Sequence, residues 1–489
     1  MSLLYQRFAD QADRAPDAPA LQAGDRLLTM RGFVDLVDAS ARQLQADGLG
    51  QGDAIGWLGH NTPEMLAALL ACAKLGAVWV PLNGRLAAPE LSAIARHAGL
   101  SALLNTPDLA SLAGQVRAHV ALADPARRLS GDAPGARHAA QPGDAMLVYT
   151  SGTTGEPKGA MHSQAGMLAN LDMATAVQGM NAADRVLAVL PLFHVGGLCI
   201  QVLPALACGA VVNLHARFDP GAWLHDVAAW RPTTSLLVPA VMQALIGHPG
   251  WPGADLRSLQ YLNSGSSIVP VALIKAFHAR GLAVAQVYGS TESGPFSIAL
   301  RPAEALAHVG SVGRPAPGVR LRLADAAGAE VAAGEVGEIQ LQAPNLMRGY
   351  HRLPSGAGFI DGWFATGDLA TADADGWVTV VGRSQELIIS GGENIYPAEL
   401  ENLAATWPGV AEAAVVGLPD ARWGEVPVLV LVAQAGAVVD LDGLRWRIQQ
   451  QLARFKHPRA IVLKDELPRT ALGKVQKAQL LRQLLCPPA

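Results

Sequence analysis

The sequence predicts an α/β protein: a large N-terminal part of doubly wound sheets, a β-rich subdomain, and a small α+β C-terminal domain. Three observations predict it. Short apolar runs alternate with helix-like segments from Ala145 to Val287, as buried parallel strands and their crossover helices do. From about Gly318 the runs "VRLRLAD", "EVGEIQLQ" and "GWVTVV" alternate in polarity with little helix between them, which reads as antiparallel sheet. Beyond Arg383 a compact set of helices and strands suffices for an independent domain of about one hundred residues. The expected division is 1–382 and 383–489.

Element by element, "MLAALLACAKLGAVWVPL" is the most membrane-like stretch. Lys74 and Gly76 interrupt it, so it reads as a core helix followed by a strand. The Ala-, Pro- and Gly-rich segment Asp124 to Ala145 reads as a surface connection. "AMLVY" is a strand, followed by a glycine loop and a helix near Gln164 to Val177. "RVLAVL", "AVVNL", "TSLLV" and "AVAQV" continue the strand series, and "VALIKAFHARG" is helical. In the last domain the expected order is a helix from Pro397, strands "AAVVGL" and "VPVLVLVA", a helix from Leu441, and strand "AIVLK".

The 489 residues are half hydrophobic and 16% charged, enough for a sizeable core. A net charge of −4 gives no sign of a nucleic-acid partner. The charge is uneven, however: from Arg454 to Arg482 eight Lys/Arg face only Asp465 and Glu466. That excess points to a local anion site or to a solvated helix face. Cys72, Cys199, Cys208 and Cys486 have no metal spacing and read as reduced thiols, mostly buried. Asp10, Asp13 and Arg14 leave no apolar signal core at the N-terminus. The expectation is a cytoplasmic protein without membrane association, and a homodimer is compatible with the sequence.

The stretch "YTSGTTGEPKGAMHS" carries the strongest chemical signal. Between Thr150 and Ala160 it holds three glycines, four hydroxyls and Lys158. Successive backbone N–H groups in a Gly-rich turn form a concave nest for oxyanions, hydroxyls add donors, and lysine adds charge. A strand before and a helix after would complete a phosphate site. The spacing differs from the common nucleotide P-loop: Gly152 and Gly155 are too close, and Gly159 follows Lys158. "PLFHVGG" (Pro191–Gly197) and "YGSTESG" (Tyr288–Gly294) are placed like it at carboxyl ends of strands, where ligands of such sheets gather.

Together with "WFATGDLA", "GRSQELIISGGENIYPAELE" and "LPRTALGKVQK", in this order and over most of the chain, these stretches resemble the adenylate-forming superfamily. That superfamily comprises acyl-CoA synthetases, adenylation domains and firefly-type luciferases; the likeness is greatest to bacterial aryl- or acyl-CoA ligases. The resemblance implies ATP-dependent activation of a small carboxylic acid as acyl-AMP, pyrophosphate release, and transfer of the acyl group to the CoA thiol. It implies ATP, Mg2+ and CoA as ligands. A separate carrier protein as acceptor, or a non-catalytic nucleotide-binding homologue, are the alternatives.

By resemblance, Thr150, Ser151, Gly152, Thr153, Thr154, Gly155 and Lys158 hold the β- and γ-phosphates, and Glu292 helps bind Mg2+. Thr291 donates to the α-phosphate, Tyr288 stacks on adenine, and Gly265, Ser266, Gly289 and Ser290 complete the nucleotide site. Asp368 takes the ribose hydroxyls, Arg383 the ribose and phosphate end. Lys474 contacts the carboxylate and α-phosphate where charge builds. His194 gates the acyl pocket from the thiol tunnel. The acyl pocket is expected around His194, Val195, Gly196, Asn263, Ser264, Val287, Gly289, Gly294 and Pro295. No lysine or arginine is among these, which disfavours a dicarboxylate and favours an aromatic, arylalkenoic or medium-chain acid. Gly391 and Gly392 would leave room for a pantetheine arm, while Trp423, Phe455, Lys456 and Arg459 meet CoA. The resemblance also implies that the C-terminal domain swings between two half-reactions. At its hinge the family carries Asp or Lys; here the residue is the neutral Gln385.

Overall fold

Strands buried on both faces need no polar side, and this shapes the largest sheet. In the computed structural model, residues 2–120, 143–150, 158–265, 268–390, 393–420, 422–470 and 473–485 are described. The parallel strands Val284–Tyr288, Tyr261–Gly265, Thr234–Leu237, Arg185–Ala188, Val211–Leu214 and Pro19–Ala23 lie side by side. Antiparallel strands close both edges: Ile298–Ala299 and Arg314–Pro315 at one, Arg26–Thr29 at the other.

A second sheet runs Gly349–Tyr350, Lys158–Ser163, Asp144–Thr150, Val78–Leu82, Ala54–Leu58, Leu100–Asn105. Helices Leu3–Arg14, Met30–Ala46 and Pro63–Leu75 pack on one another, and one apolar cluster unites them with both sheets. Leu21 and Val212 of the first sheet and Ile55, Trp79 and Met146 of the second belong to it. The membrane-like stretch is the last of these helices and its following strand. Thr62 caps the helix by accepting from Met65 N, Pro63 opens it, and Gly76 ends it in the left-handed region at φ 72°. Among the described residues no helix is long and apolar enough to cross a membrane.

The β-rich region is antiparallel, as expected: Arg320–Ala324, Gly337–Gln342, Trp363–Ala372 and Phe359–Ile360, with Val378–Arg383 also on Trp363–Ala372. A fourth sheet uses only later strands: Glu393–Ile395, Ile388–Ser390, Gly424–Ala433, Val410–Asp420, and Ala460–Lys464 parallel to Gly424–Ala433. Helices Pro397–Ala405, Leu441–Gln451 and Lys477–Leu485 cover it, around their own apolar clusters. Cys72 and Cys199 are buried free thiols and Cys208 is partly buried; burial pushes the Cys199 thiol up to about 12. Cys486 and most of the 124–145 connection lie outside the described residues.

One expectation is corrected. No helix follows the glycine loop directly. Lys158–Ser163 is a strand, antiparallel to Asp144–Thr150 with Thr150 opposite Lys158. The strand is held on its other side by Gly349–Tyr350. The helix Gln164–Gln178 starts only where the Ser163 hydroxyl accepts from Gly166 N.

Phe277, fully buried against Trp251 at a ring-centroid distance of 4.9 Å, anchors the helix Val271–His278. Phe277→Ala is expected to cost about 3–5 kcal/mol, read as a lower chemical-denaturation midpoint.

Candidate active site

The expected site residues fall in three clusters. The first joins the glycine hairpin to "YGSTESG". The ammonium of Lys158 lies 5.6 Å from the centre of the Tyr350 ring. The Tyr350 hydroxyl in turn donates to Glu292 Oε1 at 2.9 Å. Enclosure, with the Glu292 charge adding to it, holds the Tyr350 phenol well above its ordinary range, so it stays a donor. The main chain repeats the link: Met347 N donates to Glu292 O at 2.7 Å, and His351 N to Gly159 O at 2.7 Å. Residues 345–351 thus clamp both loops, a role that no spacing in the sequence announces.

Buried asparagines fix the second loop. Asn345 Nδ2 donates to Ser293 O at 2.8 Å and to Phe296 O at 3.0 Å, and Asn170 Oδ1 accepts from Phe296 N at 3.1 Å. Ser290 N donates to the Ser293 hydroxyl at 2.8 Å. Gly289 admits no side chain: an added Cβ would stand 1.7 Å from Pro295 O. Gly265 on the neighbouring strand is similarly confined, 2.2 Å from Val287 O. Thr291 is buried in this loop, and the fully enclosed His162 ring lies against the Thr291 backbone.

The second cluster is the Asp368 carboxylate. Its residue pairs with Arg383 across the antiparallel ladder. Oδ1 accepts from Arg383 Nε at 2.6 Å and Oδ2 from the Tyr288 hydroxyl at 2.7 Å. Burial, reinforced by Asp368, raises the Tyr288 phenol well above its ordinary range. Burial works against the Arg383 charge, but Asp368 outweighs it and the guanidinium is firmly held charged.

The third cluster is the turn that carries Lys474. Thr470 N donates to Lys474 O at 2.7 Å, which closes the turn. Gly473 sits against Ala240 of the large part, and Gln243 Nε2 donates to Ala411 O at 3.4 Å. Lys474 is exposed to solvent. Partial desolvation, and the Arg383 charge, lower its pKa; Glu386 and Asp368 act the other way. His194 is within reach of the same charge. Enclosure and Lys474 push it to about 4, so it is neutral. Its Nδ1 accepts from Gly196 N at 3.3 Å at the start of the turn Val195–Gly197. Asn61 holds the preceding turn, donating to Leu190 O at 2.9 Å and accepting from Leu192 N at 2.8 Å.

The remaining expected residues fall as follows. Val195, Gly196, Val287 and Gly294 are buried, and Ser264 is buried with its hydroxyl 3.4 Å from Met242 Sδ. Trp423 and Phe455 are 46% and 40% exposed. Arg459 is exposed. Lys456 is not a free cation, since it pairs with Glu399 at 2.7 Å. Gln385 is exposed in the short turn Ser384–Glu386. Ser151, Gly152, Thr153, Thr154, Gly155, Ser266, Gly391 and Gly392 lie outside the described residues.

His162 offers a direct check on this packing. Burial lowers it from 6.5 to about 4, so the folded protein holds it neutral while the unfolded chain protonates first. Stability from this residue is complete above about 6.5 and is lost as the pH falls towards 4. His162→Gln should therefore gain on the parent by about 3 kcal/mol between pH 7 and pH 4, measured as the difference in unfolding free energy.

The AMP-binding enzyme family matches residues 8–351, and the AMP-binding enzyme C-terminal domain matches residues 399–474. The indoleacetate–CoA ligase of Aromatoleum aromaticum is 42% identical over 488 residues, with 96% of each chain covered. A feruloyl-CoA synthase of Amycolatopsis sp is 40% identical over 477 residues, with 97% of each covered. Among solved structures, the o-succinylbenzoate CoA synthetase of Bacillus subtilis, in complex with its acyl-adenylate intermediate, superposes with a TM-score of 0.85. That enzyme is 30% identical, with 97% of each chain covered. With an Asp368–Arg383 pair and a C-terminal lysine near enough to feel both charges, the chain belongs to the adenylate-forming AMP-binding enzyme family, as an acid–thiol ligase.

Proposed function

We propose that the protein joins an aromatic or arylalkenoic acid to CoA in two steps at the cleft of Asp368, Arg383 and Lys474. In the first, the substrate carboxylate attacks the α-phosphate of ATP, the bond to the β-phosphate breaks, and pyrophosphate leaves. In the second, the CoA sulfur attacks the acyl carbon and AMP leaves. Anion meets anion in the first step, so catalysis is mainly charge compensation and positioning.

The observation that carries this reading is the placement of Lys474, close enough to Arg383 and Asp368 to feel their charges and to His194 for its own charge to help keep the imidazole neutral. Lys474 bridges the carboxylate and the α-phosphate as charge develops between them. The glycine hairpin and Lys158 take the outer phosphates, and Thr291 donates to the α-phosphate. The ribose hydroxyls replace Tyr288 or Arg383 on Asp368. Among the described residues no group of three metal-ligating side chains exists. Glu292 alone fits Mg2+, an ion that commonly binds one carboxylate plus substrate phosphates; when bound it screens phosphate charge. Neutral His194 gates the acyl pocket without moving a proton.

Acid choice is read from the walls. Val195, Gly196, Val287 and Gly289 are small and uncharged, which suits a flat ring. Relatives named for indoleacetate and feruloyl thioesters support the aryl class. CoA approaches past Trp423, Phe455 and Arg459, and Lys456 reaches its phosphates only by leaving Glu399. The division near 383–385, with Gln385 as hinge, lets the last hundred or so residues withdraw Lys474 before thioester formation.

A screen of aromatic, fatty and dicarboxylic acids with ATP, Mg2+ and CoA should give thioester with aryl acids and little with dicarboxylates. Adenylate without acyl-CoA would assign the acceptor to another thiol. Lys474→Ala should slow adenylation by about 10²–10³-fold and leave transfer from preformed adenylate far less affected. Equal losses in both steps would contradict its assignment.

A further inference from the structure

Tyr350 touches both side chains that the adenylation scheme assigns to the outer phosphates and their ion, and the scheme gives it no task of its own. Its hydroxyl lies 2.9 Å from Glu292 Oε1. A carboxylate only accepts, so the phenol donates and occupies one of the two carboxylate oxygens. The Lys158 ammonium stands 5.6 Å from the centre of the same ring, within reach of a cation–π contact. The ring itself has little freedom. It packs on the apolar cluster of Ala160, Met347 and Phe364. A Cβ added to Gly358 would stand 3.3 Å from Tyr350 Cε2, so that edge is closed as well. The main chain is fixed beside it: Tyr350 lies opposite Ala160 and Gly349 opposite Met161 in the antiparallel ladder, and Arg348 N donates to Met161 O at 2.8 Å. The neighbours on either side, Met347 and His351, bond to the backbones of Glu292 and Gly159.

We propose that Tyr350 is a positioning residue for the metal–triphosphate end of the nucleotide: its hydroxyl sets the Glu292 carboxylate so that Oε2 is the oxygen left for Mg2+, and its ring seats the Lys158 ammonium beside it. The inference rests on the roles given above to Lys158 and Glu292. A glutamate and a lysine are long side chains, and ordering either one at the moment of binding lowers affinity. Tyr350 orders both beforehand. It is also a neutral partner. A phenol can hold a carboxylate at its hydroxyl and an ammonium over its ring without neutralising either, so both charges remain for the ligand. Mg2+ makes the carboxylate geometry matter, because it tolerates little departure from an octahedron and commonly takes one carboxylate together with substrate phosphates. The hydroxyl therefore acts through Glu292 and the ion, and the ring acts through Lys158. AMP has neither the outer phosphates nor their ion, so Tyr350 has no part in holding it.

The test is calorimetric binding to the full chain, without acid or CoA, of two probes: α,β-methylene-ATP, which cannot be split at the α-phosphate, and AMP. Tyr350→Phe keeps the ring and its packing and removes only the hydroxyl. With Mg2+ present it should weaken binding of the ATP analogue about tenfold, the scale of one hydrogen bond to a charged group, and leave AMP binding unchanged. With the ion chelated, parent and Tyr350→Phe should bind the analogue alike. Tyr350→Leu, which also removes the seat of Lys158, should weaken the analogue further and still spare AMP. An unmoved affinity in Tyr350→Phe, an equal loss for AMP, or a difference that persists without Mg2+ overturns the proposal. A parent protein that binds neither probe would sink the ligase scheme and this inference with it. A parent that binds both, with Tyr350→Phe unmoved, sinks this inference alone.

Discussion

Two cations, Arg383 and Lys474, face each other in one cleft, and the surrounding chain serves to make that tolerable. Arg383 is fixed by the ladder to Asp368, and Lys474 reaches in from a turn seated on Ala240. Bringing like charges together and partly out of water is unfavourable. Asp368 and Glu386 offset part of it, and a bound polyanion would offset the rest. The same opposition explains why His194, enclosed and beside a cation, stays neutral. An imidazole that cannot hold a proton suits a steric gate better than a proton carrier.

Much of the architecture was legible because burial writes itself into sequence. Fully covered strands such as Val78–Leu82 are continuous apolar runs, and the antiparallel strands alternate. Thr62, Pro63 and Gly76 punctuate their helix as capping chemistry requires. The segment after the glycine loop misled for a physical reason. "KGAMHS" is too short to declare its period, and only pairing with Asp144–Thr150 and Gly349–Tyr350 decides that it is a strand.

The site was legible in proportion to how local its signals are. The glycine hairpin announces itself through glycines, hydroxyls and lysine within a few positions. Asp368 and Tyr288 are 80 residues apart and meet only in space. Lys474 was distinguished from other tail lysines by family resemblance, not by its neighbours. Tyr350, Asn345 and Asn170 carry no signature, because an asparagine that satisfies buried carbonyls looks in sequence like any loop residue. Lys456 shows the converse. Counted as one of a basic excess, it is committed to Glu399, and a tally of charge cannot see that.

The crowding around Gly265 and Gly289 limits how such a protein can change. Main-chain oxygens fill the space that any side chain there would need. Neither position can drift to a larger residue without moving a backbone that buried asparagines hold in place. Divergence towards a new acid must then be written on the opposite walls, in side chains with freedom to vary, while this rim passes unaltered from one descendant to the next.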